Sequence, residues 1–239
     1  MASDIAVGFD FDHTLGIDNK LERTVALEML ATLAAEHGVT YDPAAAEVAI
    51  EVTLRAYRSG AQSVEGAIAG FFEQFAPVGG SVLDTATSFR DAVVERAPSF
   101  IEALPGAQAM LTRLDELGIR YAILTNGWSP LQEEKARLVH FRGSVFVSER
   151  IGALKPAREA FEVLAKHFEL PAERIWYVGD DPTADCAGAR AFGFSAVWYD
   201  WEGTAYAPDL AAPSATIRSL DELPALLQGQ AANAANDVE

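Results

Sequence analysis

The chain carries two rhythms of apolar and polar residues. From Ile5 to Phe11, "IAVGFDF", apolar positions run together as in a short buried strand that tolerates Gly8. From Asn19 to Arg96 they recur instead at steps of three and four, the helical period. "NKLERTVALEMLATLAAEHG" stops at Gly38, a natural helix terminator. "DPAAAEVAIEVTLRAYRSG" opens with an Asp cap and a proline and stops at Gly60. "SVEGAIAGFFEQFA" and "VLDTATSFRDAVVERA" complete a helical block with no evident strand.

After Pro98 strands and helices alternate. "PGAQAMLTRLDELG" predicts a helix, "IRYAILTNG" a strand and turn, "SPLQEEKARLV" a helix, "SVFVSE" a strand and "PAREAFEVLAKHF" a helix. "RIWYVGDD" predicts a strand, "TADCAGARAFG" a helix, "SAVWYD" and "SATI" strands, and "SLDELPALL" a last helix. Such alternation implies parallel strands with crossover helices on both faces. The near-continuous apolar runs "YAIL" and "IWYV" fit a sheet buried on both sides. The first strand belongs with this later region. The expected fold is therefore α/β: a doubly wound, Rossmann-like parallel sheet from residues 1–16 and 99–228, with residues 17–98 as an inserted α-helical domain. The tail 229–239, "GQAANAANDVE", is poor in bulky apolar residues and predicts disorder.

Composition narrows the chemistry. A chain of 239 residues, half of them apolar, can bury a full core. Its net charge of −17 argues against nucleic acid or an anionic membrane surface as partner, since both favour basic patches. A small anionic substrate is compatible if cations gather locally. Cys186 is the only cysteine, which excludes an intrachain disulfide and a thiolate metal cluster. No apolar run approaches the roughly 18 residues of a membrane span, and the first residues lack a secretory pattern. The expectation is a cytoplasmic protein, a monomer or weak dimer.

The candidate chemistry lies at strand ends. Asp10 and Asp12 close the first strand, and strand alternation points them to one side. They sit at the carboxyl end of a parallel strand, where open α/β sheets hold their ligands. "ILTNG" puts Thr125 and Asn126 at an equivalent end, "GALKP" carries Lys155 in a loop, and "YVGDDPTAD" brings Asp180, Asp181 and Asp185. Carboxylates gathered at adjacent strand ends form a hard oxygen site suited to Mg²⁺, which would offset their mutual repulsion.

These four motifs, "DFDHT", "LTN", "LKP" and "GDDPTAD", stand in order, and over residues 5–227 the chain resembles the haloacid dehalogenase superfamily. Within it the chain is similar to phosphatases with a helical cap after the first strand. The resemblance implies that Asp10 attacks phosphorus and becomes an aspartyl-phosphate. Asp12 would protonate the leaving oxygen, deprotonate the attacking water and bind Mg²⁺ through its backbone carbonyl. Thr125 and the Asn126 amide would bind phosphate oxygens, and Lys155 would hold Asp10 and the phosphate together. Asp180 would bind the metal directly, with Asp185 in support. Asp181 stands where relatives often have Ser or Thr. Haloacid dehalogenases lack the second aspartate, so Asp12 favours a phosphate ester over a halide. The implied substrate is a small phosphorylated metabolite: a nucleotide, a sugar phosphate, phosphoglycolate or flavin mononucleotide. A phosphomutase on the same core, or a non-catalytic binding protein on the same fold, are the alternatives.

Other polar and aromatic residues read either way. Arg55 and Arg58 share a helix face and would serve as a substrate clamp or as a solvated face. Trp128 would line the pocket or pack in the core. His13 adjoins Asp12, while His37, His140 and His167 lack metal-ligand spacing. Cys186 reads as a small buried residue, and Trp198, Tyr199 and Trp201 as structural aromatics.

Overall fold

The computed structural model describes residues 4–77 and 82–236. In chain order its elements begin with β1 (Ala6–Phe9), β2 (Gly16–Ile17) and four helices, α1 (Leu21–His37), α2 (Pro43–Arg58), α3 (Val64–Phe75) and α4 (Val82–Arg96). Then follow β3 (Glu102–Ala103), α5 (Ala107–Glu116), β4 (Arg120–Thr125), α6 (Leu131–Leu138), β5 (Ser144–Val147) and α7 (Ser148–Ile151). The chain continues through α8 (Arg158–Phe168), β6 (Ile175–Gly179), α9 (Gly188–Phe192), β7 (Ser195–Tyr199), β8 (Ala215–Ile217) and α10 (Leu223–Asn236).

Two compact units result: Met1–Ile17 with Glu102–Glu239, and Asp18–Ile101. The sequence places these joins at 16/17 and 98/99. The later positions have a local cause, because β2 and β3 pair antiparallel as a two-stranded ribbon and take both joins into the first unit.

The first unit holds a six-stranded sheet in the order β5-β4-β1-β6-β7-β8, with every pair parallel. Alternation gives it two apolar faces. Ala6, Leu124, Tyr177 and Ala196 pack with Phe161 and Leu164 of α8 and Ala189 of α9. Val7, Phe9, Ile123 and Val178 fill the other face and are also buried. There α5 packs on β4 and against α10. The chain leaves β1 for β4 and β5 on one side and then crosses to β6, β7 and β8 on the other. The order therefore reverses at β1, and the crevice at the carboxyl ends of β1, β4 and β6 is the natural ligand site of such a sheet. Helix α10 runs through 229–236, where the sequence predicts disorder; the alanines there suit a helix despite their small apolar area. Residues 237–239 lie outside the described residues.

The second unit is helical. Asp42 caps α2 by accepting from the amides of Ala44 and Ala45 at 2.9 and 3.3 Å, and the Ser63 hydroxyl caps α3 from the Gly66 amide at 3.1 Å. Gly38 closes α1 with a left-handed φ of 66°. Leu30, Ile50, Leu54, Ile68, Phe71 and Phe89 form its buried interior. Glu22 is buried among them and accepts from the Tyr57 hydroxyl and, at 2.7 Å, from Arg58. Among the described residues no helix is long and apolar enough to cross a membrane.

Candidate active site

Strand β1 stops at Phe9, one residue short of Asp10, whose amide still bonds to the Val178 carbonyl at 2.9 Å. The next turn is tight: the amides of Thr14, Leu15 and Gly16 all reach the Phe11 carbonyl, and His13 takes a φ of 59°. Strand alternation therefore does not extend to Asp12, and the two carboxylates find different cations. Asp10 accepts from Lys155 Nζ at 2.6 Å, whereas Asp12 accepts from Lys135 Nζ at 2.9 Å.

Around Lys155 the site is densely packed and buried. Its ammonium donates to Asp10, to Asp185 at 2.7 Å and to the Tyr177 hydroxyl at 3.0 Å, and its side chain is only 3% exposed. The Tyr177 hydroxyl in turn donates to the Leu124 carbonyl at 2.7 Å, tying the lysine to the end of β4. The Lys155 backbone is fixed as well, because Asn126 Nδ2 donates to its carbonyl at 3.0 Å and its amide donates to Asn126 Oδ1 at 2.8 Å. The Asn126 side chain is thus a strut between two loops. Thr125 is buried at the end of β4.

Asp180 and Asp185 follow β6. Asp185 lies against the backbone at Gly179, where a Cβ would overlap its carboxylate, so only glycine lets the carboxylate lie so close. Its Oδ2 accepts from the Asp181 amide at 3.0 Å. Asp180 is held by its carbonyl, which accepts from Trp198 Nε1 at 2.9 Å, and its carboxylate lies 3.5 Å from the Thr14 hydroxyl. Asp181 caps the following turn through the amides of Thr183 and Ala184, the ordinary helix-cap role.

Oxygens of Asp10, Asp180 and Asp185 all lie within 4.8 Å of one another. Burial pushes Asp180 up to about 8 and Asp185 up to about 7, with the neighbouring carboxylates adding to both and Lys155 opposing. Asp10 is raised for the same first reason, while Lys155 is held protonated by Asp10 and Asp185 against its own burial. Among the described residues, the three clustered carboxylates face one ammonium, that of Lys155. An all-oxygen, anionic, buried donor set fits a hard divalent cation. Such an ion would also remove the repulsion that raises these acids.

The remaining sequence candidates separate. Arg58 is committed to Glu22 and lies 3.8 Å from Asp18, because its helix face packs against α1. That pairing leaves it a structural cation of the helical unit rather than a free clamp. Arg55 is exposed on the same unit, and Trp128 is buried. The Asp12 carboxylate is not one of the three clustered groups. His13 stacks on Trp201 at a centroid distance of 6.0 Å, and Cys186 is buried.

Sequence reasoning missed Tyr177, Gln132 and Lys135, and read Trp198 only as a structural aromatic. Tyr177 and Trp198 had a signal, since a polar-tipped aromatic in an apolar strand needs a partner for its hydroxyl or indole. Gln132 and Lys135 had another, the three-residue spacing that puts both on one face of the helix after the "TNG" turn.

A family model described as haloacid dehalogenase-like hydrolase matches residues 6–193. The phosphoserine phosphatase of Thermus thermophilus is 38% identical over 99 residues, 40% of this chain and 40% of that one. The ribulose-1,5-bisphosphate 5-phosphatase of Halopiger xanaduensis is 29% identical over 237 residues, 90% of this chain and 93% of that one. The chain therefore spans less than half of the first relative and nearly all of the second. A 2-haloacid dehalogenase from Pseudomonas syringae pv. Tomato shares the fold, with a TM-score of 0.72 at 22% identity over 96% of this chain and 100% of that one.

Proposed function

The chain belongs to the haloacid dehalogenase-like hydrolases, and we propose that it is a Mg²⁺-dependent phosphatase of small phosphomonoesters working through an aspartyl-phosphate. The observation that supports this best is the Asp10 carboxylate, clamped by Lys155 beside two further carboxylates at the sheet's switch point. Lys155 fixes one Asp10 oxygen, leaving the other to attack phosphorus. The bond to the ester oxygen breaks as the Asp10 oxygen–phosphorus bond forms. Asp12 gives its proton to the departing alkoxide, then takes one from the water that opens the acyl phosphate. The Lys155 ammonium offsets charge on the phosphoryl oxygens, with Thr125 at the end of β4 as their hydroxyl partner.

Asp10, Asp180 and Asp185 would hold Mg²⁺, which supplies Lewis-acid polarisation of the phosphoryl group when bound. We read the helical unit as the cap domain, with exposed Arg55 as one of its cations for a second anionic group. The proton donor at Asp12 favours an ester over a halide leaving group. Sugar phosphates come first among the substrates, because a relative aligned over nearly the whole chain is named for one.

The test is phosphate release from sugar phosphates, phosphoglycolate, nucleoside monophosphates and flavin mononucleotide, with Mg²⁺ and with EDTA. The wild type is expected to release phosphate only with metal, and Asp10→Asn not at all. Release by Asp10→Asn at the wild-type rate would remove Asp10 as nucleophile.

A further inference from the structure

We propose that Lys135 and Gln132 are positioning residues that hold the Asp12 carboxylate in its proton-transfer orientation. This rests on the reading of Asp12 as the group that protonates the leaving oxygen. Both residues lie on α6, directly after the turn that carries Thr125 and Asn126, and their spacing of three puts them on one face. Lys135 Nζ reaches both Asp12 oxygens, at 2.9 and 3.2 Å, and Gln132 Nε2 reaches Oδ2 at 3.2 Å. Lys135 is 1% exposed, whereas the Asp12 side chain is 32% exposed. Buried donors therefore grip a partly exposed carboxylate.

Stability does not call for this arrangement. A buried ion pair is often no more stabilising than apolar side chains of the same volume. The Gln132 amide also leaves its Oε1 buried without a partner, an unfavourable state for a polar atom. The surroundings are nonetheless shaped to it. A Cβ on Gly127 would stand 2.6 Å from Gln132 Nε2, so the "TNG" turn leaves room for the glutamine by having glycine there. The Lys135 ammonium also sits 6.0 Å from the ring centroid of Phe11, the residue between the two aspartates. One helix thus ties the phosphate-binding turn to the acid/base residue. Proton transfer needs the two heavy atoms within hydrogen-bond reach, and misplacement by an ångström costs about a hundredfold in rate.

Leaving-group dependence separates positioning from mere structural support. An alkoxide needs a proton as it departs, and p-nitrophenolate does not. kcat/KM reports phosphoryl transfer to Asp10 for both, so it is measured for an alkyl phosphate and for p-nitrophenyl phosphate with Mg²⁺. The variants are Lys135→Met, Lys135→Arg, Gln132→Met and Asp12→Asn, each checked for folding by circular dichroism. Lys135→Met is expected to lower kcat/KM for the alkyl ester about a hundredfold and for the aryl ester by far less. It should also show a burst of p-nitrophenol, since the second step still needs Asp12. Gln132→Met follows the same pattern more weakly, which keeps the test open if Lys135→Met does not fold, and Lys135→Arg restores part of the loss. Equal losses on both esters, or no loss in a folded Lys135→Met, would overturn the brace while Asp12→Asn still discriminates. If Asp12→Asn itself fails to discriminate, the reading of Asp12 falls and the brace with it.

Discussion

Raising the pH of the metal-free protein should destabilise it, and Mg²⁺ should abolish that effect. Asp185 stands at about 7 and Asp180 at about 8 in the folded chain, against an ordinary value of 3.8. Between these limits the folded chain keeps protons that the unfolded chain has lost. Stability must therefore fall as pH rises, starting above about 4 and ending above about 8. At about 1.4 kcal/mol per unit, Asp185 alone accounts for about 2 kcal/mol between pH 5.5 and 7. Asp180 extends the fall to about pH 8, but the two share the charges of Asp10 and Lys155. Their joint contribution is thus on the order of 2–5 kcal/mol rather than the full sum. For a chain of this length each kcal/mol shifts Tm by about 2–4 °C, so the decline is on the order of 5–15 °C.

The assay is thermal unfolding followed by circular dichroism at half-unit steps of pH, in EDTA and in excess Mg²⁺. Ordinary surface carboxylates are already ionised at pH 5.5, and burial lowers His167, which opposes the fall, so the difference in slope between wild type and Asp180→Asn reports the buried acids. Mg²⁺ binds the deprotonated folded form and should flatten the profile while raising Tm at the alkaline end. Asp180→Asn removes one titrating group and should make the EDTA slope shallower. A Tm in EDTA that stays level or rises across this window, or an Asp180→Asn slope as steep as the wild type's, would refute the reasoning.

Lys155→Met leaves Asp10 and Asp185 buried without their cation. Phosphatase activity should fall at least about a thousandfold, and denaturant unfolding should show a loss of about 3–5 kcal/mol. In the helical unit, Tyr57→Phe removes a donor from buried Glu22 while Arg58 remains; a loss of about 1–3 kcal/mol is expected by urea titration. Asp42→Ala deletes the α2 cap and should lower stability by about 1 kcal/mol, with kcat unchanged for the smallest ester.

Much of this fold is legible in the sequence, and for physical reasons. The runs "YAIL" and "IWYV" fit strands buried on both faces, and β4 and β6 are the strands on either side of β1. The convergence of Asp10, Lys155 and Asp185 follows from topology, since all lie at carboxyl ends or in the loops beyond them. Local geometry was less accessible. Two carboxylates two residues apart read as neighbours on one strand, but β1 ends at Phe9 and the Phe11 turn sends them to different lysines. Lys135 looks like any cation on an amphipathic helix until tertiary packing buries it against Asp12. Arg58 shows the opposite case, a cation suited to a substrate whose partner, Glu22, lies 36 residues away on another helix. Helix α10 outran its prediction because alanine supports a helix without contributing the bulk by which a buried face is recognised.

The central claim is that Asp10 carries the phosphoryl group, and covalent trapping tests it most directly. Asp12→Asn is incubated with p-nitrophenyl phosphate and Mg²⁺, acid-quenched and examined by peptide mass spectrometry. The leaving group needs no proton, so the first step proceeds, while loss of the base at Asp12 slows the second. The account predicts one phosphoryl group per chain, on the peptide containing Asp10, and none in Asp10→Asn or in EDTA. Release of p-nitrophenol and phosphate with no phosphorylated peptide, or with the label on another residue, would contradict it.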